Sequence, residues 1–397
     1  MEAFAVIGVA GVGAQWLAWR LRMPAIVLML TAGLILGPVT GILVPARDIG
    51  PLIAPMVSLA VSVILFEGGL TLNFHRLADA RPAVRRLVYV GAPLGWLLST
   101  LALIWIGGLS WKASLVFGGI MIVTGPTVIA PLLRQAKLVT RPAQVLQWEG
   151  IVNDPIGALA AALAMQIVLV ANAGLFWGQA LARVVPGVLA ACLIGIAAGW
   201  AIVQAFRRHI VPEYMKVPVL FVTVIGAFTA ADSILHESGL LAVTLMGLIV
   251  ANANLPSYTE LYRFKEQATV LLVSGVFIIL AAGIQFSQLT QLSWRAVLLI
   301  AAVILLVRPA TVMLSLIGTN LPMKERLLIA FTGPRGVVLV AVSGIFAERL
   351  VAEGVPDGGM VAPLAFCLVL ATVILHGFTL GRSEEHTSEL QSLDHIS

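Results

Sequence analysis

From Gln144 to Val170 the chain is apolar over a length that crosses a bilayer, broken chiefly by Glu149, Asn153 and Asp154 within the stretch Trp148–Gly157. No other feature restricts the fold as strongly. Hydrocarbon offers the backbone no water to bond, so an apolar run of this length pairs its amides and carbonyls internally and spans as a helix. An ionised group at such depth is costly, and residues of this kind mark ion pathways.

The pattern repeats along the chain. A window of about 19 residues yields thirteen candidate spans, at roughly 3–19, 24–43, 51–70, 87–109, 113–133, 144–171, 178–205, 217–234, 238–253, 268–284, 294–317, 325–347 and 359–380. Hydrophobic residues make up 60% of the chain, charged residues 11%, and the mean hydropathy is +1.02. A water-soluble core cannot use that much apolar surface. The runs are continuous instead of alternating every second residue, which excludes a transmembrane β-barrel. The expected class is therefore an all-α polytopic membrane protein. The segment 257–267 is polar enough to predict an interfacial helix. Cys192 and Cys367 both fall within apolar spans and read as packing residues. The first span has only Glu2 before it and no basic leader, so it is expected to remain as a helix.

Orientation follows from the loops. Numbered by these spans, one side carries sixteen basic residues, among them Arg20, Arg85, Arg86, Arg141, Arg207, Lys216 and Arg326, and the other carries five: Arg47, Lys112, Arg183, Arg295 and Arg349. The positive-inside rule then puts the N-terminus outside and the C-terminus in the cytoplasm, as expected of a bacterial-type inner membrane. Basic residues in short loops report topology, so nucleic acid is not an expected partner and the lipid bilayer is.

An internal echo suggests two halves. Thr124-Gly125-Pro126-Thr127 lies midway along the fifth span, and Thr332-Gly333-Pro334-Arg335 lies at the same relative place in the twelfth. Gly-Pro breaks a helix, and hydrocarbon tolerates the break only where the freed groups face protein or a wet cavity. Interrupted helices at corresponding places are the sequence mark of a transporter built on inverted repeats. Two inverted six-helix repeats are expected, spans one to six and eight to thirteen, with broken spans five and twelve crossing.

Asp154 is the leading candidate for chemistry. A carboxylate on a span holds a proton or a dehydrated cation through the same oxygens, so the two compete. Glu149, five residues earlier, lies about 140° around a helix axis from Asp154 and is expected outside its pocket. Buried carboxylates need partners, and Glu149 is assigned a structural ion pair with Arg308. Glu67, in Phe66-Glu67-Gly68-Gly69-Leu70, either snorkels to the cytoplasmic interface or lines the approach to Asp154. Thr124 offers a hydroxyl and a freed carbonyl beside the first break. Arg335, beside the second, suits charge balance for exposed carbonyls. Asp232, His236 and Glu237 read as outer-surface polarity, and their His-Glu pair lacks the second histidine of a zinc-peptidase helix. His75 and His209 sit in basic loops. No phosphate-cradling glycine loop with its lysine occurs, which argues against ATP-driven transport, and no cofactor is expected.

Together, Glu149-Gly150-Ile151-Val152-Asn153-Asp154, the Phe66–Leu70 and Thr124–Thr127 segments, Arg308-Pro309 and Gly333-Pro334-Arg335-Gly336 resemble the monovalent cation/proton antiporters of the sodium/proton exchanger type. The similarity runs to about Gly381. It implies thirteen spans with crossed broken helices, a homodimer and elevator-like alternating access. It further implies that Asp154 is the exchanging carboxylate, that Asn153 steadies the site, and that Glu149 pairs with Arg308. An Asn-Asp pair is associated in this superfamily with electroneutral exchange. Two positions depart from the pattern: many relatives carry aspartate where Gly125 stands, and some carry serine where Gly150 stands. Side-chain ligation is absent at both.

The expected activity is thus exchange of sodium, or lithium as its surrogate, for protons, with the cation held at Asp154 and Thr124; potassium/proton exchange on the same fold is the alternative. A cation channel would need no proton counterflow, and an intramembrane hydrolase lacks a nucleophile–base or metal-ligand set here. Residues 1–381 read as the transporter domain. The abruptly polar segment 382–397 resembles the in-frame translation of a sequencing-library adapter, and the natural chain is expected to continue past 381.

Overall fold

The computed structural model of the chain describes residues 2–21, 23–72, 74, 80–125, 129, 140–174, 178–253, 258–284 and 292–394. Among these residues there are helices and no strands. His75 and several counted loop cations (Arg22, Arg76, Arg134, Lys137), with Pro126 and Thr127 of the first break, lie outside them.

The main helices in chain order are α1 (Glu2–Leu21), α2 (Ala25–Leu34), α3 (Ile53–Thr71), α4 (Arg81–Gly107) and α5 (Trp111–Ile120). There follow α6 (Thr140–Asn172), α7 (Gly178–Arg207), α8 (Lys216–Asp232), α9 (Ser238–Ala251) and α10 (Tyr258–Ala282). The chain closes with α11 (Trp294–Ser315), α12 (Met323–Phe331), α13 (Val337–Ala352) and α14 (Val361–Asp394). Among the described residues, eight helices are long and apolar enough to cross a membrane, and three further apolar stretches, Ala25–Val39, Ser238–Ala251 and Thr269–Ala282, are shorter.

In the segment 257–267, expected as an interfacial helix, the residues from Tyr258 are helical and continuous with the apolar stretch that follows, α10 running unbroken from Tyr258 to Ala282. No glycine or proline falls between Tyr258 and Ser274, and Glu, Leu, Lys, Gln and Ala carry the helix through the polar stretch.

Helix α5 and the α12–α13 pair are interrupted where the sequence places Gly-Pro. α5 ends at Ile120, and residues 121–125 leave the helix before Pro126; α12 ends at Phe331, and 332–336 are non-helical before α13 begins at Val337. Proline disfavours helical geometry in the residue before it, which keeps Gly125 and Gly333 out of a helix.

Packing sorts the helices into two groups. α1, α2, α3, α7, α8, α9 and α10 make their most extensive contacts with one another, and so do α4, α5, α6 and α11 to α14. Contacts of α6 with α9 and α7, and of α13 with α10 and α3, join the groups. The core is filled by apolar side chains with Phe117, Phe277, Phe346 and Phe366 fully buried. Large apolar residues such as Val9, Trp16 and Trp19 on α1 and Leu193 and Trp200 on α7 look outward, as a lipid-facing surface requires.

Candidate ion-binding site

The two breaks meet. Gly125 donates its main-chain N–H to the Pro334 carbonyl at 3.2 Å, and the Arg335 guanidinium donates to the Val123 carbonyl. The contact depends on the absence of side chains. A Cβ on Gly125 would fall on Gly336 Cα and lie 2.6 Å from Gly336 N.

Helix α6 is pressed against this crossing one turn beyond its acidic residue. A Cβ on Gly157 would lie 2.9 Å from Val123 N and 3.2 Å from Gly119 O, so only glycine lets α6 approach the end of α5 this closely. That approach brings Asp154 to Thr124. Asp154 is wholly buried, Asn153 is 4% exposed and Thr124 is 1% exposed. The Thr124 main chain and the Arg335 guanidinium face the Asp154 carboxylate, though the amide does not close a hydrogen bond of normal geometry. Among the described residues, both Asp154 carboxylate oxygens, the Asn153 Oδ1 and the Thr124 Oγ1 have no hydrogen-bond partner. Buried oxygens without a partner are costly, and each requires a group to satisfy it. Pro155 adds to this polarity, since it withdraws the amide that would otherwise bond the Ile151 carbonyl.

Arg308, from α11, reaches Glu149 on the same α6. One guanidinium nitrogen, Nη1, donates to Glu149 Oε1 and the other, Nη2, donates to Oε2 at 2.8 Å. Nη2 also points at the carbonyls of Thr332 (3.2 Å) and Ile329 (3.4 Å), which close α12. An arginine meets the main-chain carbonyls at each break: Arg335 that of Val123, three residues past the end of α5, and Arg308 those of Ile329 and Thr332 at the end of α12. The C-terminal end of a helix is its negative end, and a guanidinium placed there offsets carbonyls that have no helical partner.

Glu67 is placed half-buried on α3, where the adjoining Gly68 faces the Ile151 side chain of α6. At the opposite end of α8, Asp232 accepts the Glu237 main-chain N–H at 2.6 Å, and His236 Nδ1 lies 3.7 Å from Asp232.

Sequence reasoning missed Thr372 and His376 on α14, which hold the second break from behind. Arg335 N–H donates to Thr372 Oγ1 at 3.1 Å, and Gly333 N–H donates to His376 Nε2 at 3.2 Å. The signal was available, because a histidine four residues after a threonine in an apolar span is an intramembrane ionisable group that requires an explanation.

The family described as sodium/hydrogen exchanger, transmembrane, matches residues 6–383. The chain belongs to this family. The exchanger family consists of cation/proton antiporters, which are transporters and not enzymes. Among curated exchangers the chain is 28% identical over 385 residues to the K(+)/H(+) antiporter NhaP of Alkalimonas amylolytica, a match covering 94% of this chain and 65% of that one. It is 24% identical over 346 residues to Na(+)/H(+) antiporter 1 of Methanocaldococcus jannaschii, covering 82% of this chain and 78% of that one. Its fold is that of the sodium proton antiporter MjNhaP1 from Methanocaldococcus jannaschii, solved at pH 8, with a TM-score of 0.84 and 24% identity over 96% of this chain and 97% of that one.

Proposed function

We propose that the chain exchanges monovalent cations for protons across a membrane, with Asp154 alternately holding one or the other. The observation that carries this reading is the group of unpartnered acceptor oxygens on Asp154, Asn153 and Thr124, buried where two helix breaks cross. A proton or a cation held on the carboxylate satisfies such a set, with the Thr124 hydroxyl and the Asn153 carbonyl oxygen as supporting groups. Sodium is the proposed substrate and lithium its surrogate. Potassium is the second reading, supported by the similarity to the K(+)/H(+) antiporter of Alkalimonas amylolytica.

The proposed exchange is one-for-one: a single proton or a single sodium ion on Asp154 leaves the site at the same net charge, and such exchange is electroneutral. Glu149 is paired with Arg308, and Arg335 faces Asp154. The remaining features of the proposal are those of the wider antiporter architecture. The eight long helices, the three shorter ones and the two interrupted ones count as thirteen spans in two inverted repeats, with the N-terminus outside, an elevator-like movement of the α6 group and a homodimeric assembly. Glu67 is assigned to the cytoplasmic approach.

The test is flux in proteoliposomes. Asp154→Asn keeps the shape of the side chain and cannot alternate in charge, so it is expected to abolish cation-dependent proton movement while the purified protein remains folded. Wild-type flux from that variant would refute the assignment. Parallel assays with sodium, lithium and potassium separate the two substrate readings.

A further inference from the structure

Helix α14 sets two polar side chains, Thr372 and His376, one turn apart against the second break. Their hydrogen-bond roles can be read from their partners. Thr372 Oγ1 donates to the Val369 carbonyl at 3.0 Å, and its lone pair accepts the Arg335 N–H. His376 Nδ1 lies 2.5 Å from the Thr372 carbonyl, which can only accept, so Nδ1 carries a hydrogen. In the neutral ring Nε2 is then an acceptor, the role the Gly333 N–H requires at 3.2 Å.

Nε2 faces a second group that requires the reverse. The Phe331 carbonyl lies 2.9 Å from it and can only accept. A neutral imidazole satisfies Gly333 and leaves Phe331; an imidazolium donates to Phe331 and abandons the Gly333 N–H. The two bonds exclude each other, and the proton on Nε2 selects between them. The charged groups facing the ring are Arg308 from α11 and Arg335 from the break itself, which line the same narrow pocket.

We propose that His376 is a positioning residue for the exchange: neutral, it holds Gly333 and through it Arg335 against Val123, and protonated, it releases the break that frames Asp154. The proposal rests on the exchange reading given above. Its consequence is a second proton in the acid inhibition of transport. Competition at Asp154 alone makes log KM for the cation fall with pH at a slope of about one, whereas loss of the His376 bond adds a second proton to that slope.

The experiment compares wild type, His376→Gln and His376→Ala in proteoliposomes with sodium between about pH 5 and 7.5. A glutamine reaches as far as Nε2 and accepts the Gly333 N–H but does not titrate. It is expected to keep KM at neutral pH within about twofold of wild type and to reduce the slope to about one, while His376→Ala raises KM at least about tenfold at neutral pH. A wild-type slope of one, or an unchanged slope in His376→Gln, overturns the proposal. Hydrogen–deuterium exchange over 331–336 in the purified protein gives a readout independent of transport: after correction for the intrinsic pH effect, exchange should accelerate on acidification in wild type and not in His376→Gln. Should wild type show no cation-coupled flux, the exchange reading fails, and this measurement still decides the role of His376 at the break.

Discussion

The main-chain N–H of Gly125 donates to the carbonyl of Pro334 at 3.2 Å, which ties together two helix breaks that lie more than two hundred positions apart in the chain. Neither break is satisfied locally. Each supplies what the other lacks, with Val123 giving a carbonyl to Arg335 and Pro334 giving one to Gly125.

Gly125→Ala tests this contact. The added methyl would fall on Gly336 Cα with Arg335 C at 3.2 Å, and these are backbone atoms that cannot rotate away. The breaks must separate, which displaces Thr124 from Asp154. Overpacking of this kind costs about 1–3 kcal/mol, and the site geometry suffers more than the stability. Exchange in everted vesicles should fall by at least about tenfold. Gly125→Asp should do no better, because the neighbour opposite is Gly336 main chain. Activity at wild-type level in either variant would show that the crossing is looser than described.

The Glu149–Arg308 pair gives a second prediction. Both side chains are largely buried, at 3% and 10% exposure, and the guanidinium is shared between a carboxylate and the carbonyls at the end of α12. Removing one partner leaves an uncompensated charge, a loss of about 3–5 kcal/mol. Glu149→Gln and Arg308→Ala should each lower the unfolding midpoint in detergent. Arg308→Lys should rescue poorly, since an ammonium cannot bridge both carboxylate oxygens and two carbonyls as a planar fork does. Glu149→Leu combined with Arg308→Met should be more stable than either single truncation, as removal of both charges leaves none stranded.

Much of this was legible in the sequence, because hydrocarbon permits so few solutions. Asp154 in an apolar run and Gly-Pro in spans five and twelve can be read from spacing alone. The apposition of Gly157 with Val123 and of Gly125 with Gly336 could not, because a glycine string does not say which backbone it will touch. Arg308 was visible as a buried cation in need of a carboxylate, but its second role at the Thr332 carbonyl depends on how α11 and α12 pack. The polar stretch expected to form an interfacial helix is made of good helix formers, and its continuity with the apolar part of α10 follows from them.

The N-terminal end of α5 supplies a third prediction. Asp357, from the connection between α13 and α14, accepts the Ser110 N–H at 2.5 Å and the Ser110 hydroxyl at 2.7 Å, and Ser110 caps α5. A carboxylate at a helix N-terminus satisfies orphan amides and complements the dipole. Asp357→Ala should therefore lower stability by about 1–2 kcal/mol, with the apparent cation KM unchanged because the cap lies at the far end of α5 from Thr124. A change in KM with no change in thermal midpoint would contradict this division.

Glu237 supplies the last, and its sign can be worked out. It sits at the elbow between α8 and α9, outside the spanning helices, in a left-handed conformation at φ +70°. Burial, reinforced by Asp232 and partly opposed by Arg349, pushes its carboxyl up from 4.5 to about 7. Below pH 4.5 the folded and unfolded chains both hold the proton, and the residue contributes no pH dependence. Between 4.5 and about 7 the unfolded chain releases it while the folded chain retains it, so stability falls as pH rises. Above about 7 the folded protein carries a buried, ionised carboxylate, at a loss of up to about 3 kcal/mol. Glu237→Gln removes that loss and should raise the unfolding midpoint at pH 8 while leaving it nearly unchanged at pH 4.5. Glu237→Gly should gain a further increment of about 1 kcal/mol by relieving the left-handed backbone. Parallel melting curves of wild type and Glu237→Gln across that range would show that the carboxyl is hydrated and that the elbow carries no buried charge.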